Sequence, residues 1–249
     1  MSELGVSISP ELVSLLKVAS RVTVLTGAGI SQESGLPTFR DAQVGLWAQY
    51  QPEELATPEA FAKNPKLVWD WYALRREMAK TAQPNPGHYA LAEMARQVPH
   101  FNLITQNVDS LHQRAGSVEV LELHGSLGRV RCAQCGAATS AWKESEGEVP
   151  RCAACGGLLR PDVVWFGEEL PRQALDSAWE AARRADVFFS IGTSGLVQPA
   201  ASLAMAAKYQ KAVVVEINAT PTPLSELADF TLTGKAGEIL PALVQAVWG

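Results

Sequence analysis

Short, nearly continuous apolar segments alternate with helical patterns along most of this chain. The runs VFF at 187–189 and VVV at 213–215 are typical of strands that are buried on both faces of a sheet. Predicted strands lie at 21–25, 101–105, 118–123, 186–191 and 212–217, and predicted helices at 10–20, 86–97, 171–184, 198–210 and 236–248. Because strands that alternate with helices build parallel sheets, we predict an α/β fold with helices on both faces of the sheet.

Two segments interrupt this alternation. Residues 42–85 carry helical signals without a strand, since Thr57 and Asn64 each resemble an N-cap residue followed by proline. Residues 127–160 are rich in Cys and Gly and poor in large apolar side chains. We predict that both segments are insertions that form a smaller second lobe.

The composition limits the class of protein. Of the 249 residues, 47% are hydrophobic, which is enough for a sizeable core. The chain carries 21 basic and 26 acidic side chains, and the resulting net charge of −5 argues against nucleic acid as a partner. No segment approaches the ~20 apolar residues of a membrane helix, and the N-terminus lacks a secretory pattern. We therefore expect no membrane partner and a cytoplasmic location.

All four cysteines occur in two Cys-x-x-Cys pairs. Sixteen residues separate Cys132 and Cys135 from Cys152 and Cys155. Two such turns present four thiolates to one metal ion, a spacing typical of zinc sites, although disulfides or a redox pair are alternatives. Four thiolates leave zinc no open position, so the metal would be structural rather than catalytic.

A glycine-rich segment at 26–41 follows the strand predicted at 21–25. Glycines there let the backbone turn sharply and approach a ligand, while consecutive N–H groups can hold phosphate. A plain turn would explain Gly27, Gly29 and Gly35 as well. The segment also contains polar, aromatic and charged side chains that a turn does not need and a nucleotide site can use: Ser31, Ser34, Phe39, Arg40 and Asp41.

Further polar motifs follow other predicted strands, at the edge where open α/β sheets bind ligands. The motif QNVD at 106–109 is one, although Asn107 or Asp109 would also serve as a helix cap. The motifs GTS at 192–194 and NAT at 218–220 follow two successive strands. They are either ordinary loops or contacts for the adenosine half of a dinucleotide.

One histidine stands out by its position. His124 ends the strand predicted at 118–123 and precedes Gly125, a small residue that would leave room for a substrate. His88, His100 and His112 lack this combination. An imidazole, with a pKa near 6.5, suits proton abstraction at neutral pH.

The helix predicted at 65–81 carries an unusual polar pair. Its apolar stripe, expected to face the core of the small lobe, consists of Leu67, Trp71, Leu74 and Met78. Tyr72 and Arg75 are spaced i, i+3 and project together from an adjoining face. An exposed pair beside the stripe is the alternative.

In their order along the chain, the glycine-rich loop, QNVD, LHG at 123–125, the cysteine pairs and GTS resemble the sirtuin family of NAD-dependent protein lysine deacylases. The resemblance extends over residues 10–245. It implies a substrate cleft between two domains. These are a Rossmann-like NAD-binding domain from 1–41, 86–126 and 161–249, and a small domain from a helical insertion at 42–85 and a zinc-binding module at 127–160.

The resemblance also implies roles for individual residues. His124 would be the general base, Asn107 would be the second catalytic residue, and the four cysteines would hold one structural Zn²⁺. NAD, the co-substrate, would contact Gly27, Ala28, Gly29, Ile30, Phe39, Arg40, Trp47, Gln106, Asn107, Val108, Asp109, Gly192, Thr193, Ser194, Asn218, Ala219, Thr220 and Ala236.

The substrates implied by the resemblance are acylated-lysine proteins bound as extended peptides. The peptide would add a strand along Val163, Val164 and Phe166, although residues 162–168 could simply form a core strand. Tyr72 and Arg75, together with the small Ala56, resemble the branch that removes succinyl and malonyl groups. Arginine suits that task because its planar fork binds a carboxylate bidentately.

We therefore predict a deacylase with deacetylase and desuccinylase or demalonylase activity. In the implied reaction nicotinamide leaves as the acyl oxygen attacks the anomeric carbon of the ribose. His124 then activates a ribose hydroxyl toward the imidate carbon, and water releases free lysine and O-acyl-ADP-ribose. Phe39 would shield the reactive face. The alternatives are a mono-ADP-ribosyltransferase, which needs no Tyr72/Arg75 pair, and a non-catalytic NAD-sensing module, which needs no His124.

Overall fold

The predicted alternation of strands and helices is present in the computed structural model, which describes residues 7–37, 51–143 and 147–249. The strands are β1 (Arg21–Thr26), β2 (His100–Thr105), β3 (Val120–Glu122), β4 (Gly125–Cys132), β5 (Ala138–Thr139), β6 (Leu159–Val163), β7 (Val187–Ile191), β8 (Val213–Asn218) and β9 (Phe230–Thr233). The helices are α1 (Pro10–Val18), α2 (Gly29–Gln32), α3 (Pro52–Leu55), α4 (Pro58–Lys63), α5 (Pro65–Thr81), α6 (Pro86–Gln97), α7 (Leu111–Arg114), α8 (Arg172–Arg184), α9 (Ser202–Tyr209) and α10 (Ala236–Trp248). The predicted site residues Phe39, Arg40 and Trp47 lie outside the described residues.

The larger sheet is parallel throughout, with six strands in the order β3-β2-β1-β7-β8-β9. The chain adds strands outward from β1 on one side and outward from β7 on the other. The chain therefore leaves β1 and β7 toward opposite sides of the sheet, an arrangement that in open α/β sheets places a ligand crevice beyond the carboxyl ends of such strands. The predicted Rossmann-like sheet is confirmed, and its topology marks the ends of β1 and β7 as the place for a ligand.

Helices cover both faces of this sheet, as predicted. On one face α1, α6 and α10 bury Leu16, Leu91 and Leu243 against the strands. On the other face α8 and α9 bury Ala182 and Leu203. In the described ranges, every helix falls short of the length and apolar character that spanning a membrane requires.

The smaller lobe contains a three-stranded antiparallel sheet in the order β5-β4-β6. Its strands pack with α4 and α5 around a core that includes Phe61, Trp71, Leu127 and Val163. β4 starts at Gly125, ahead of the predicted boundary at 127. The division of the chain into domains stays a prediction.

Two helices of the 42–85 segment, α4 and α5, begin at the predicted prolines. The Thr57 hydroxyl accepts a hydrogen bond from the N–H of Ala60, and the Asn64 side chain accepts one from Leu67, both at 3.1 Å. These bonds satisfy N–H groups that lack partners in the first turn of each helix, so the caps fix where α4 and α5 start.

The prediction of which α5 side chains face the core of the smaller lobe is partly wrong. Leu74 is 43% exposed, whereas Tyr72 is only 3% exposed. Arg76 is buried as well, because its guanidinium carbon lies 5.0 Å and 4.9 Å from the ring centroids of Trp69 and Trp142. Aromatic partners therefore bury polar side chains of α5 in the smaller lobe. Because Tyr72 is buried, the alternative that Tyr72 and Arg75 form an exposed surface pair is wrong.

The strands differ from the sequence predictions in two further places. The segment 162–168 is not a strand throughout, since β6 ends at Val163 and a turn closed by the Glu168 N–H and the Trp165 carbonyl follows (3.0 Å). The edge strand β9 escaped prediction because its four residues alternate between half-buried and exposed positions and lack an apolar run.

Position 125 requires glycine for a different reason from the one predicted. Its φ is +80°, and a Cβ atom added to it would lie 2.1 Å from the carbonyl oxygen of Asp162 in β6. The space beside Gly125 is therefore occupied by the neighbouring strand rather than kept for a substrate.

We expect Gly125→Ala to destabilise the fold strongly. The left-handed backbone costs about 1–2 kcal/mol for alanine, and the clash with β6 adds about 1–3 kcal/mol. Gly116→Ala is the matched control, because Gly116 also has a left-handed φ (+97°) but faces open space. Denaturant unfolding measures both variants, and equal losses of stability would contradict the close approach of β6.

Candidate active site

A cleft of about 780 Å³ lies between the carboxyl edge of the larger sheet and the smaller lobe. Both lobes contribute to its walls, and most of the predicted site residues meet there. Those that line it are Gly27, Ala28, Gly29, Ala56, Tyr72, Arg75, Gln106, Asn107, Val108, Asp109, His124, Val163, Val164, Phe166, Gly192, Thr193, Ser194, Asn218 and Thr220.

The glycine-rich loop after β1 is bound to the loop after β7. The N–H groups of Gly27 and Gly29 donate to the carbonyls of Ile191 and Gly192, at 2.9 Å and 2.8 Å. A Cβ atom on Gly27 or Gly29 would lie 2.7 Å from atoms of Gly192. These glycines permit two loops to touch, and their N–H groups are not directed at a phosphate as the sequence had suggested.

The residues after β2 form a hydrogen-bonded group at the floor of the cleft. The Asn107 amide donates to the Gly27 carbonyl at 3.0 Å and to the Ser31 hydroxyl at 3.2 Å. Ser31 in turn donates to Asp109 at 2.7 Å. The other oxygen of Asp109 accepts from the Leu111 N–H at 2.9 Å, so Asp109 also acts as the helix cap that was the alternative. Burial raises the pKa of the Asp109 carboxyl.

Three strand ends are joined through Thr193. The Gln106 amide after β2 donates to the Thr193 hydroxyl at 3.0 Å, and the amide of Asn218, the last residue of β8, donates to the Thr193 carbonyl at 3.2 Å. The predicted loops therefore converge, because parallel strands end at the same edge of the sheet.

His124 is held in one orientation at the edge of the cleft. Its Nδ1 lies 3.0 Å from the carbonyl oxygen of Gln106. A carbonyl only accepts, so Nδ1 carries the hydrogen and Nε2 has a free lone pair. Burial lowers the pKa of His124, so the imidazole is neutral at pH 7.

The other histidines are elsewhere. His88 and His112 are buried against each other, with ring centroids 4.8 Å apart, and burial lowers their pKa values to about 4 and about 3. His100 is exposed at the start of β2. Among the four histidines, all of them within the described residues, only His124 lines the cleft.

A buried polar network behind the cleft was not predicted. The Thr26 hydroxyl donates to Thr105 at 2.8 Å and contacts Nε2 of His112 at 2.9 Å. Thr105 in turn accepts from the N–H of Asn107 at 3.0 Å. Thr26 and Thr105 pair at the ends of β1 and β2. The sequence signal that could have predicted this network is a threonine as the last residue of each of two apolar strands.

A second cavity of about 290 Å³ adjoins the first beyond Gly29 and Gly192. Ala219 and Ala236 line it, and Asn218 reaches both cavities. Ile30, by contrast, is a residue of the hydrophobic core, with a fully buried side chain.

Tyr72, Arg75 and Ala56 form the inner wall on the side of the smaller lobe. The Trp165 indole N–H donates to the Tyr72 hydroxyl at 3.0 Å, and the Arg75 guanidinium carbon lies 4.9 Å from the Trp71 ring centroid. Burial raises the pKa of Tyr72 and lowers the pKa of Arg75. Because burial disfavours the cation, an anionic ligand beside Arg75 would offset that cost.

The four cysteines form one cluster at the end of β4. All four sulfur atoms lie within 4.8 Å of one another, with Cys132–Cys155 at 3.5 Å and Cys135–Cys152 at 3.8 Å. These distances are too long for disulfides, and Zn–S bonds of about 2.3 Å place tetrahedral sulfurs about 3.8 Å apart. The cluster therefore fits a zinc ion.

A model of the Sir2 family matches residues 27–199. This chain belongs to the Sir2 family. A protein of Pyrobaculum aerophilum named NAD-dependent protein deacylase 2 is 54% identical over 233 residues, 94% of this chain and 93% of that protein. A solved structure described as a crystal structure of a Sir2 homolog–NAD complex has a TM-score of 0.92 at 48% identity and covers 99% of this chain and 96% of its own. Another, described as Sir2-p53 peptide-NAD+, has a TM-score of 0.86 at 32% identity, with coverages of 96% and 98%.

Membership of the Sir2 family confirms the resemblance drawn from the sequence. The parallel sheet and the cysteine cluster agree with it, and so does the cleft between the lobes. The roles of individual residues stay predictions.

We expect removal of zinc to unfold the smaller lobe of this Sir2 protein. Chelation or Cys132→Ala should lower the midpoint of thermal unfolding, because metal binding contributes folding free energy. Gln134→Ala, an exposed position in the same turn, is the control. Metal analysis and calorimetry measure the effect, and an unchanged midpoint in metal-free protein would contradict a structural zinc.

Proposed function

We propose that this protein is an NAD-dependent protein lysine deacylase in which His124 is the base. One observation carries the proposal: a neutral, oriented imidazole lies in a single cleft between strand-end loops suited to a dinucleotide and a pocket suited to an acyl group. NAD, when bound, supplies an activated ADP-ribosyl group with nicotinamide as the leaving group.

The proposed NAD site runs along the edge of the larger sheet. Gln106, Asn107 and Asp109 are proposed to hold the nicotinamide ribose and the carboxamide. The hydrogen bonds of Asn107 to Gly27 and Ser31 support this role, since they fix its amide before any ligand arrives. The second cavity, lined by Asn218, Ala219 and Ala236, suits the adenosine half.

The proposed chemical role of His124 is to take a proton from a ribose hydroxyl. Its Nδ1–H is engaged by the Gln106 carbonyl, so the Nε2 lone pair is the basic site. The lowered pKa keeps this lone pair free at neutral pH. Asn107 and Asp109 would hold the hydroxyl within reach of Nε2.

The acylated lysine is proposed to arrive as part of an extended peptide beside residues 163–166. The N–H groups of Val164 and Phe166 already donate to the carbonyls of His124 and Ala56, both at 2.9 Å. The peptide would therefore pair with other backbone groups of this segment. Main-chain pairing would permit loose sequence preference in the peptide, because it ignores side-chain identity.

We further propose that the acyl groups include dicarboxylic ones such as succinyl and malonyl as well as acetyl. Arg75 supplies a partly desolvated guanidinium, and Tyr72 supplies a hydroxyl that burial keeps protonated. Ala56 leaves room beside them.

The cluster of reduced thiols also suits a cytoplasmic location.

A mono-ADP-ribosyltransferase is the main competitor, since it would use the same cofactor site. It would need neither Tyr72 nor Arg75. Release of nicotinamide that does not depend on an acyl-lysine peptide would favour the competitor and contradict deacylation.

We expect His124→Ala to reduce kcat/KM roughly 10²–10⁴-fold, because it removes a general base. His100→Ala, at an exposed position, should be neutral. Burial lowers the pKa of His124 and the base works in its neutral form, so wild-type kcat/KM should fall with acidification only below pH 6.5. Near-normal turnover by folded His124→Ala, or an acid limb above pH 6.5, would contradict the assignment.

We expect Arg75→Met to reduce kcat/KM for a succinyl-lysine peptide roughly tenfold to a hundredfold, since a charged hydrogen bond contributes about 1.5–3 kcal/mol. Tyr72→Phe should act in the same direction. Acetyl-lysine has no distal carboxylate, so its kcat/KM should fall much less. Lys80→Met removes an exposed positive charge from the same helix and is the control. Equal losses on both substrates would mean that the pair only supports the fold.

A further inference from the structure

The indole of Trp165 contacts the Tyr72 hydroxyl at the inner wall of the cleft. Trp165 is buried, and its Nε1 lies 3.0 Å from the Tyr72 oxygen. An indole N–H can only donate, so the Tyr72 oxygen is the acceptor. Tyr72 therefore keeps its own hydroxyl hydrogen for another partner.

This contact restricts where the Tyr72 hydrogen points. A phenolic O–H lies close to the plane of its ring and has two favoured directions. The Trp165 N–H approaches the Tyr72 oxygen along one of these directions, so the hydroxyl hydrogen takes the other direction. Among the described residues no protein group accepts that hydrogen, and both Tyr72 and Trp165 line the cleft.

Trp165 is itself held firmly. The Arg160 guanidinium stacks on the indole, with Cζ 3.3 Å from the ring centroid. Two nitrogens of Arg160 bind the Glu168 carboxylate at 2.5 Å and 2.8 Å, and that carboxylate also accepts from the backbone N–H of Trp165 at 2.8 Å. The direction of the indole N–H is therefore fixed, and the direction of the Tyr72 hydroxyl follows from it.

We propose that Trp165 is a positioning residue that sets acyl specificity by making Tyr72 an obligate hydrogen-bond donor; the inference rests on the proposed removal of dicarboxylic acyl groups. The guanidinium of Arg75 also only donates. Two side chains that can only donate favour an ionised carboxylate, which only accepts.

Donation from Trp165 has a second effect on Tyr72. A hydroxyl whose oxygen accepts a hydrogen bond becomes a stronger donor, because successive hydrogen bonds polarise one another. Burial also raises the pKa of Tyr72, so the hydrogen stays in place at working pH. The carboxylate of the acyl group therefore meets a directed and strengthened donor.

The test compares Trp165→Phe with the wild type on succinyl-lysine and acetyl-lysine peptides. Phenylalanine keeps a ring beneath Arg160 and lacks the N–H. We expect the ratio of kcat/KM for succinyl over acetyl to fall roughly three- to tenfold, as for the loss of one neutral hydrogen bond. Phe61→Leu removes a ring whose centroid lies 5.4 Å from that of Trp165 and should leave the ratio at its wild-type value.

The same substitution in a Tyr72→Phe background isolates the contact. No hydroxyl remains to be oriented, so Trp165→Phe should change the ratio there by less than roughly twofold. An unchanged ratio in the single variant, or an equal fall in both backgrounds, would overturn the role of Trp165.

A second replacement guards against misfolding of Trp165→Phe. Site-specific 3-benzothienylalanine at position 165 has sulfur in place of the N–H in a ring of the same shape, and it should lower the ratio in the same way. Wild-type enzyme that removes acetyl but neither succinyl nor malonyl overturns the acyl specificity together with this inference. If the wild-type enzyme removes succinyl groups and both replacements at position 165 keep the wild-type ratio of succinyl to acetyl kcat/KM, the role of Trp165 is overturned and the proposed function stands.

Discussion

The active-site architecture depends on the contact between the loops that follow β1 and β7. Backbone hydrogen bonds from Gly27 and Gly29 to Ile191 and Gly192 close the two halves of the sheet at the point where its strand order reverses. Any side chain at these glycines would separate the loops, because the atoms of Gly192 lie only 2.7 Å from a Cβ position. Asn107 then binds the Gly27 carbonyl, so the group at the floor of the cleft is built on this contact.

The strands of the smaller lobe connect that lobe to the hydrogen-bonded residues at the floor of the cleft. The carbonyl of His124 accepts from the N–H of Val164 just beyond the pairing of β4 with β6, while Nδ1 of His124 binds Gln106 after β2. His124 therefore links the two lobes, through its backbone carbonyl on one side and its imidazole on the other. The residue after Val164, Trp165, binds Tyr72. The proposed base and the proposed acyl pocket are thus positioned by one short segment, and a shift of β6 would move both.

Sequence patterns predicted the features that follow from local chemistry. Strand apolarity, the caps at Thr57 and Asn64 and the paired cysteines each have a local physical cause, so the sheet, α4, α5 and the metal cluster could be foreseen. Features that depend on distant neighbours could not. The purpose of Gly125 depends on Asp162 in another strand, and the burial of Tyr72 depends on Trp165, 93 residues away. The orientation of α5 depends on aromatic rings whose positions no periodicity encodes.

Strand β4 begins next to His124 and ends at Cys132. With about 3.3 Å per residue, it extends about 25 Å from the proposed base to the metal cluster. A zinc ion bound at the far end would therefore fix the strand whose near end adjoins His124, without itself touching the cleft. The specific activity of a preparation would consequently report its metal content as much as its protein concentration, and turnover numbers are comparable only between samples of equal zinc occupancy.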